Sequence, residues 1–210
     1  MDTWNTLVEW FSHVTDALGK PIDPEIFELV VAMNALGFQT IQSCGGHLEQ
    51  RRGLLLPWVD FQAVDPSLAS LQAENRQLMA GVQQAHQTLS LYQSQQVKGG
   101  QIAQAKRTLD ELAVRMQKVQ REIRLLQLEP RKKLAEYLSQ FYTDRSVPFD
   151  RRLILEGKDA TRLHNQGAVD LYFSAPLEIQ RQKLVEYREE FSEFTAFLKQ
   201  CYFLQKTIYA

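Results

Sequence analysis

The chain has 210 residues, 44% of them hydrophobic and 23% charged, with 24 Lys and Arg against 25 Asp and Glu. This composition excludes a disordered chain, and the near-neutral total excludes bulk attraction to a polyanion by the whole molecule. The length suits one ordinary domain with an appendage.

Charge is unevenly placed. Residues 1–65 carry three Lys and Arg against nine Asp and Glu, whereas residues 66–143 carry eleven against six. The first third is therefore acidic and the middle basic. Two cysteines, Cys44 and Cys201, do not make a disulfide framework. The opening MDTWNTLVEWF has neither a basic start nor a long apolar run, and no stretch of about 18 apolar residues follows, so neither a signal peptide nor a membrane span is expected. A reducing cytoplasm is the expected compartment.

Residues from about Asp2 to Ala17 read as a helix, with Trp4, Leu7, Val8, Phe11 and Val14 on one stripe. Asp23-Pro24 starts a second helix that Gly37 ends. Phe38–Ser43 and Trp58–Ala63 then alternate as two strands of a hairpin, joined by a polar loop. Pro57 suits a strand start or an edge.

After Asp65-Pro66 the period changes. Leu68, Leu71, Asn75, Leu78, Val82, Ala85, Leu89 and Tyr92 form a heptad seam, with Asn75 at a polar a position. The seam resumes after Gly99-Gly100 at Ile102, Ala105, Leu109, Leu112, Met116, Val119, Ile123 and Leu126. Folding back at Gly99 sets Tyr92 near Ala105, Val82 near Met116 and Leu71 near Leu126. Each arm of such a hairpin would reach about 45 Å at 1.5 Å per residue. Pro130 is expected to break or kink the second arm. Residues 152–156 and 161–164 predict a second β-hairpin, residues 169–173 a further short strand, and Pro176 the start of a last helix.

These elements predict an α+β fold: a small, mainly antiparallel sheet packed by helices, with a long antiparallel coiled-coil hairpin inserted. Residues 1–65 and 144–210 are expected to form one discontinuous domain, with 66–143 as the arm.

The loop opening Ser43-Cys44-Gly45-Gly46-His47 is where reactive side chains and permissive backbone meet. Gly45-Gly46 can turn successive N–H groups toward one anion, with Arg51 and Arg52 adding charge. Such a nest and His47 would hold Cys44 as a thiolate, a nucleophile. The candidate catalytic residues are Cys44, His47 and Ser43; the candidate ligand-binding residues are Gly45, Gly46, Arg51, Arg52 and Asp60. A turn kept for backbone reasons alone is the competing reading. Position 50 is Gln rather than Arg, which removes tyrosine-phosphatase chemistry. Cys44 and His47 have CxxH spacing, but a structural zinc site needs a second close pair, so no metal site is assigned. The sequence identifies no cofactor, since it has no glycine-rich nucleotide loop with a following acid.

The run from Gly37 to Glu49, with Thr40, Ser43-Cys44, Gly46-His47 and then Pro57-Trp58-Val59-Asp60, resembles uncharacterised bacterial and phage proteins carrying GxxTxxSCxGH followed by PWVD. More distantly it is similar to the Tyw3 family of wybutosine tRNA-modification methyltransferases, whose strand also ends in Thr-x-x-Ser-Cys-x-Gly. That resemblance implies S-adenosylmethionine and tRNA, and it carries over Ser43, Cys44 and Gly46.

The arm carries Lys106, Arg107, Arg115, Lys118, Arg121, Arg124 and Arg131-Lys132-Lys133. This basic face of residues 106–133 can neutralise phosphates, and a solvated helix surface with interspersed Glu and Gln is the competing reading. Asn75 lacks a side-chain partner within one hairpin, which points to a homodimer through the arm. Two functions therefore stand open: a catalytic or ligand-binding protein built on the Cys44 loop and acting on RNA, or an interaction module acting through its arm.

Overall fold

The computed structural model describes residues 3–16, 18–49, 53–97, 99–157, 160–167, 172 and 174–208. The chain divides into two compact units, residues 1–63 with 130–210, and residues 64–129.

The first unit opens with α1 (Trp4–Ser12), whose Thr3 hydroxyl caps it by accepting from the Thr6 N–H at 3.3 Å. This helix is shorter than its stripe predicts. The chain leaves it to form an isolated antiparallel bridge between Thr15 and Pro21. Helix α2 (Pro24–Ala35) starts on its proline and closes at Gly37, whose φ of 87° is left-handed. The Phe38 N–H returns to the Met33 carbonyl at 2.9 Å and the Gly37 N–H to Asn34 at 3.0 Å, satisfying carbonyls that the helix end would orphan.

The strands among the described residues are β1 (Gln39–Cys44), β2 (His47–Glu49), β3 (Gly53–Leu55), β4 (Trp58–Gln62), β5 (Leu153–Glu156) and β6 (Thr161–Asn165). A four-stranded antiparallel sheet runs β1-β4-β6-β5, and β2 and β3 make a separate two-stranded ribbon. The loop expected between the two central strands is thus itself a hairpin.

Val59, Phe61 and Leu163 are fully buried on one sheet face. They share a core with Leu29, Val31 and Met33 of α2 and with Phe191, Phe194 and Leu198 of the last helix, α5 (Leu177–Ile208). Phe38 meets Phe61 edge-on, centroids 5.5 Å apart. A satellite core of Leu54, Leu56, Leu184 and Tyr187 fixes the β2–β3 ribbon against α5.

The expected strict alternation along β1 fails. Thr40 pairs with Phe61 and Gln42 with Asp60, so Ile41 is an extra residue, a β-bulge. Unbroken alternation would put Cys44 on the core face with Phe38 and Thr40. The bulge moves it to the outer face, opposite Trp58.

The second unit contains α3 (Leu68–Ser94) and residues 99–129 of α4 (Gly99–Phe141). They form an antiparallel pair. Arg115 reaches Glu74 at 2.6 Å, and the Gly81 position faces Leu112. Tyr92 and Ala105 line one groove, Val82 and Met116 another. The chain turns out of α3 over Gln95, Gln96 and Val97 rather than at Gly99, which already belongs to α4. Gln96 takes the left-handed turn position at φ 52°. The Val97 N–H returns to the Tyr92 carbonyl at 3.0 Å.

Pro130 does not end a helix; it lies inside α4. Losing one i→i−4 bond is tolerated because Leu134, Tyr137, Leu138 and Phe141 beyond it are buried in the main core. For the same reason residues 130–143 belong to the first unit, whereas the arm was expected to run to 143. The strand expected at 169–173 lies outside the described residues except Tyr172, which packs on the satellite core. No helix among the described residues is long and apolar enough to cross a membrane.

Candidate functional site

Strand β1 delivers Cys44 to the outer sheet face, and the Gly45-Gly46 turn swings the chain into β2. His47 and Glu49 are two apart on that strand, so their side chains share a face. The result is a connected row. Cys44 Sγ lies 3.6 Å from His47 Nδ1, and His47 Nε2 lies 3.1 Å from Glu49 Oε1. A thiol, an imidazole and a carboxylate in this order can carry a proton away from sulfur while the carboxylate orients the ring. His47, in the middle of the row, is exposed, and Cys44 and Glu49 at its ends are half-buried.

The turn itself is held from three sides. The Gly45 N–H donates to Asp23 Oδ2 at 2.7 Å. The Arg188 guanidinium donates to the Gly45 carbonyl at 2.9 Å and to the Gly46 carbonyl at 2.7 Å, and it also pairs with Glu25 at 3.3 Å. Gly46 has φ 73°, and a Cβ there would lie 2.8 Å from the Pro57 nitrogen and 2.9 Å from the Leu55 carbonyl oxygen. Only glycine fits such a position.

This packing changes the role expected of the glycines. Both are buried, and the Gly45 amide is already committed to a carboxylate, so they do not form an open anion nest. The Cys44 thiol is not lowered either. Burial pushes it above its ordinary value and the Asp23 carboxylate adds to this, while the Gly46 N–H and Arg188 offset only part. Cys44 at rest is a protonated thiol, with the Asp23 carboxylate and the His47 ring as the proton acceptors beside it.

The structure brings Cys44 and His47 together and sets Ser43 apart. Ser43 pairs with Val59, a core-facing residue, so its side chain leaves the opposite face from Cys44. Asp60 shares the outer face, but its carboxylate is gripped by Arg162 through bonds of 2.7 Å and 2.8 Å. Arg162 also stacks over the Trp58 ring at 3.9 Å, flooring the site beside Cys44. Arg51 and Arg52 lie outside the described residues. Among the described residues no group of three or more His, Cys, Asp or Glu could hold a metal ion. Cys201 packs against the main core, and burial raises its thiol too.

Glu49, Asp23, Arg188 and Trp58 are the contributors that sequence reading did not assign. His-x-Glu on a short strand was a legible signal for Glu49. Asp23 holds the N-cap position yet makes no cap hydrogen bond, since its side chain turns to Gly45. Nothing local marks Arg188.

Several of the basic residues between 106 and 133 have partners within the chain, and Arg107 donates to Gln104 at 2.9 Å. Arg115 pairs with Glu74, Arg131 donates to the Leu155 and Gly157 carbonyls, and Lys133 donates to the Leu36 carbonyl.

Comparison with protein-family profiles, curated proteins and solved structures finds no match to this chain.

Proposed function

We propose that the protein is a thiol-dependent catalyst or covalent ligand-binder in which Cys44 is the nucleophile, His47 its general base and Glu49 the group that orients His47. The observation that carries this is the row Cys44–His47–Glu49, with contacts of 3.6 Å and 3.1 Å. In an acyl transfer, sulfur bonds the carbonyl carbon as its proton passes to His47 Nδ1. The oxyanion then collapses, and the departing group takes that proton from His47. Water releases the acyl group from sulfur in the second half. The raised thiol fits this order, because a protonated nucleophile gains most from a base beside it.

The test is acylation of Cys44 by p-nitrophenyl acetate near neutral pH, followed by mass spectrometry. Wild type should acquire one acetyl group on Cys44. His47→Asn should slow this about a hundredfold, and Glu49→Gln by less. Equal rates in wild type and His47→Asn would remove the reading. The likeness to the Tyw3 family adds RNA as an alternative substrate, resting on Ser43, Cys44 and Gly46; the family pattern has Arg where this chain has His47.

A second reading concerns the arm, which we propose assembles two copies of the chain. Asn75 is buried, its Nδ2 reaches Met79 Sδ at 3.9 Å, and its Oδ1 has no hydrogen-bond partner among the described residues. The seam residues Val82, Leu89, Tyr92, Leu109 and Leu112 are only half-buried. A second hairpin offers both a polar partner and further cover. Phosphate binding on the arm's basic face is a further proposal, and it rests on charge alone.

A further inference from the structure

A groove of about 660 Å³ runs along β1, lined by Gln39, Thr40, Ile41, Gln42 and Ser43. Successive strand residues point to opposite faces, so a groove touched by five in a row follows the strand's edge rather than either face. That edge is the open side of the sheet, because among the described strands β1 pairs only with β4. Beyond that pairing, residues 41–43 make no main-chain hydrogen bond to another described residue. The opposite wall comes from α1 and the connection after it, with Trp10, Phe11, Val14 and Ile22 as its apolar part. The Thr15–Pro21 bridge props this wall.

An edge strand facing an apolar wall across a gap is the arrangement that strand addition uses. Main-chain bonds hold the guest, and its alternate side chains meet the wall. The charge of the guest follows from the lining. Asp16 and Asp23 stand in it against Lys20 alone, within a segment where nine acids outnumber three bases. The bulge at Ile41 interrupts the edge and Thr40 is engaged by Asn34, so the ladder is short. Its far end is Ser43, Trp58 and Asp23, which are the chain neighbour, cross-strand partner and carboxylate neighbour of Cys44.

We infer that this groove binds an extended polypeptide segment of net positive charge, which adds to the edge of β1 and is led to Cys44. Its role as substrate rests on the reading of Cys44 as a nucleophile; its binding does not.

The probe is an acetylated, amidated peptide of about eight residues that alternates valine and lysine, titrated into the full chain and followed by amide NMR. Shifts should concentrate on residues 10–23 and 39–43. N-methylating alternate amides in the two possible phases should weaken binding about tenfold or more in one phase, from loss of about two strand hydrogen bonds. Trp10→Ala removes a wall side chain that is 60% exposed. It should leave the fold intact and weaken binding several-fold. A valine–glutamate peptide should bind less well, and equal binding would overturn the charge assignment. Three results overturn the groove: no shift there at about 1 mM peptide, both methylated phases binding like the parent, or oligouridylate shifting these residues when the peptide does not. Peptide binding that persists in Cys44→Ala, with no acylation of wild-type Cys44, keeps the groove and removes the nucleophile. Acylation without peptide binding does the reverse.

Discussion

Arg188, in the last helix, donates through Nη2 to the Gly46 carbonyl at 2.7 Å, across most of the chain. The same guanidinium holds the Gly45 carbonyl, so one planar fork fixes the turn that places His47 beside Cys44. Arg188→Ala should cost about 2 kcal/mol, the scale of hydrogen bonds made by a charged group. Arg188→Lys should restore little, because an ammonium cannot match two carbonyls with a rigid fork. Urea melts of the three proteins measure this. A loss below about 0.5 kcal/mol in both variants, the range of ordinary surface substitutions, would discount the clamp.

The two glycines should respond differently to the same change. Gly46→Ala combines a left-handed φ with backbone atoms at 2.8 Å and 2.9 Å from the new methyl. It should destabilise by about 3 kcal/mol. At Gly45 the nearest atoms are the Cβ atoms of Asp23 and Glu25, both at 3.2 Å, a contact relieved by a shift of a few tenths of an ångström. Gly45→Ala should cost about 1 kcal/mol. Paired thermal melts decide it, and equal losses would contradict the geometry.

Acid sensitivity should trace partly to Asp150. Burial works against its ionisation, but Lys183 at 2.9 Å and the Tyr187 hydroxyl at 3.0 Å outweigh it and hold the carboxyl below its ordinary value. A carboxyl depressed in the folded state stabilises fully above its unfolded value and loses that contribution as the pH falls through the folded one. Asp150→Asn should therefore be less stable than wild type near pH 7, by about 2 kcal/mol. The difference should shrink below the ordinary value of 3.8. A gap between the two urea curves that stays constant from neutral pH into this acid range would exclude Asp150 as the source.

Asn75→Leu should raise thermal stability by about 1–2 kcal/mol, because it removes an amide whose Oδ1 is buried without a partner. It should also loosen the choice of oligomer. Thermal melts check the first part, and light scattering of wild type and variant across a wide concentration range checks the second. A wild-type mass of one chain throughout excludes the dimer, and an unchanged single mass in the variant excludes Asn75 as its selector.

The hairpin arm was legible because heptads are a property of one continuous segment. The order of Leu78, Val82, Leu112 and Met116 is enough to fold two helices back on each other, whatever the rest of the chain does. The reversal point was less legible, since Gly99-Gly100 is the more obvious turn and Gln96 takes the left-handed position instead. The antiparallel strands and the nearness of Cys44 to His47 were likewise written in local alternation and spacing.

Which face Cys44 occupies was not. Period-two alternation from Phe38 assigns it to the core, and only the pairing of β1 with β4 shows that Ile41 is an extra residue that turns it outward. The state of its thiol was equally out of reach. Gly-Gly and His47 alone suggest a lowered thiol, whereas burial and the Asp23 carboxylate raise it. Asp23 and Arg188 reach the loop from other helices, so their effect depends on distances that no spacing along the chain encodes. Periodicity fixed the elements because it acts within a segment; the chemistry of Cys44 was decided by desolvation and charge, which act through space.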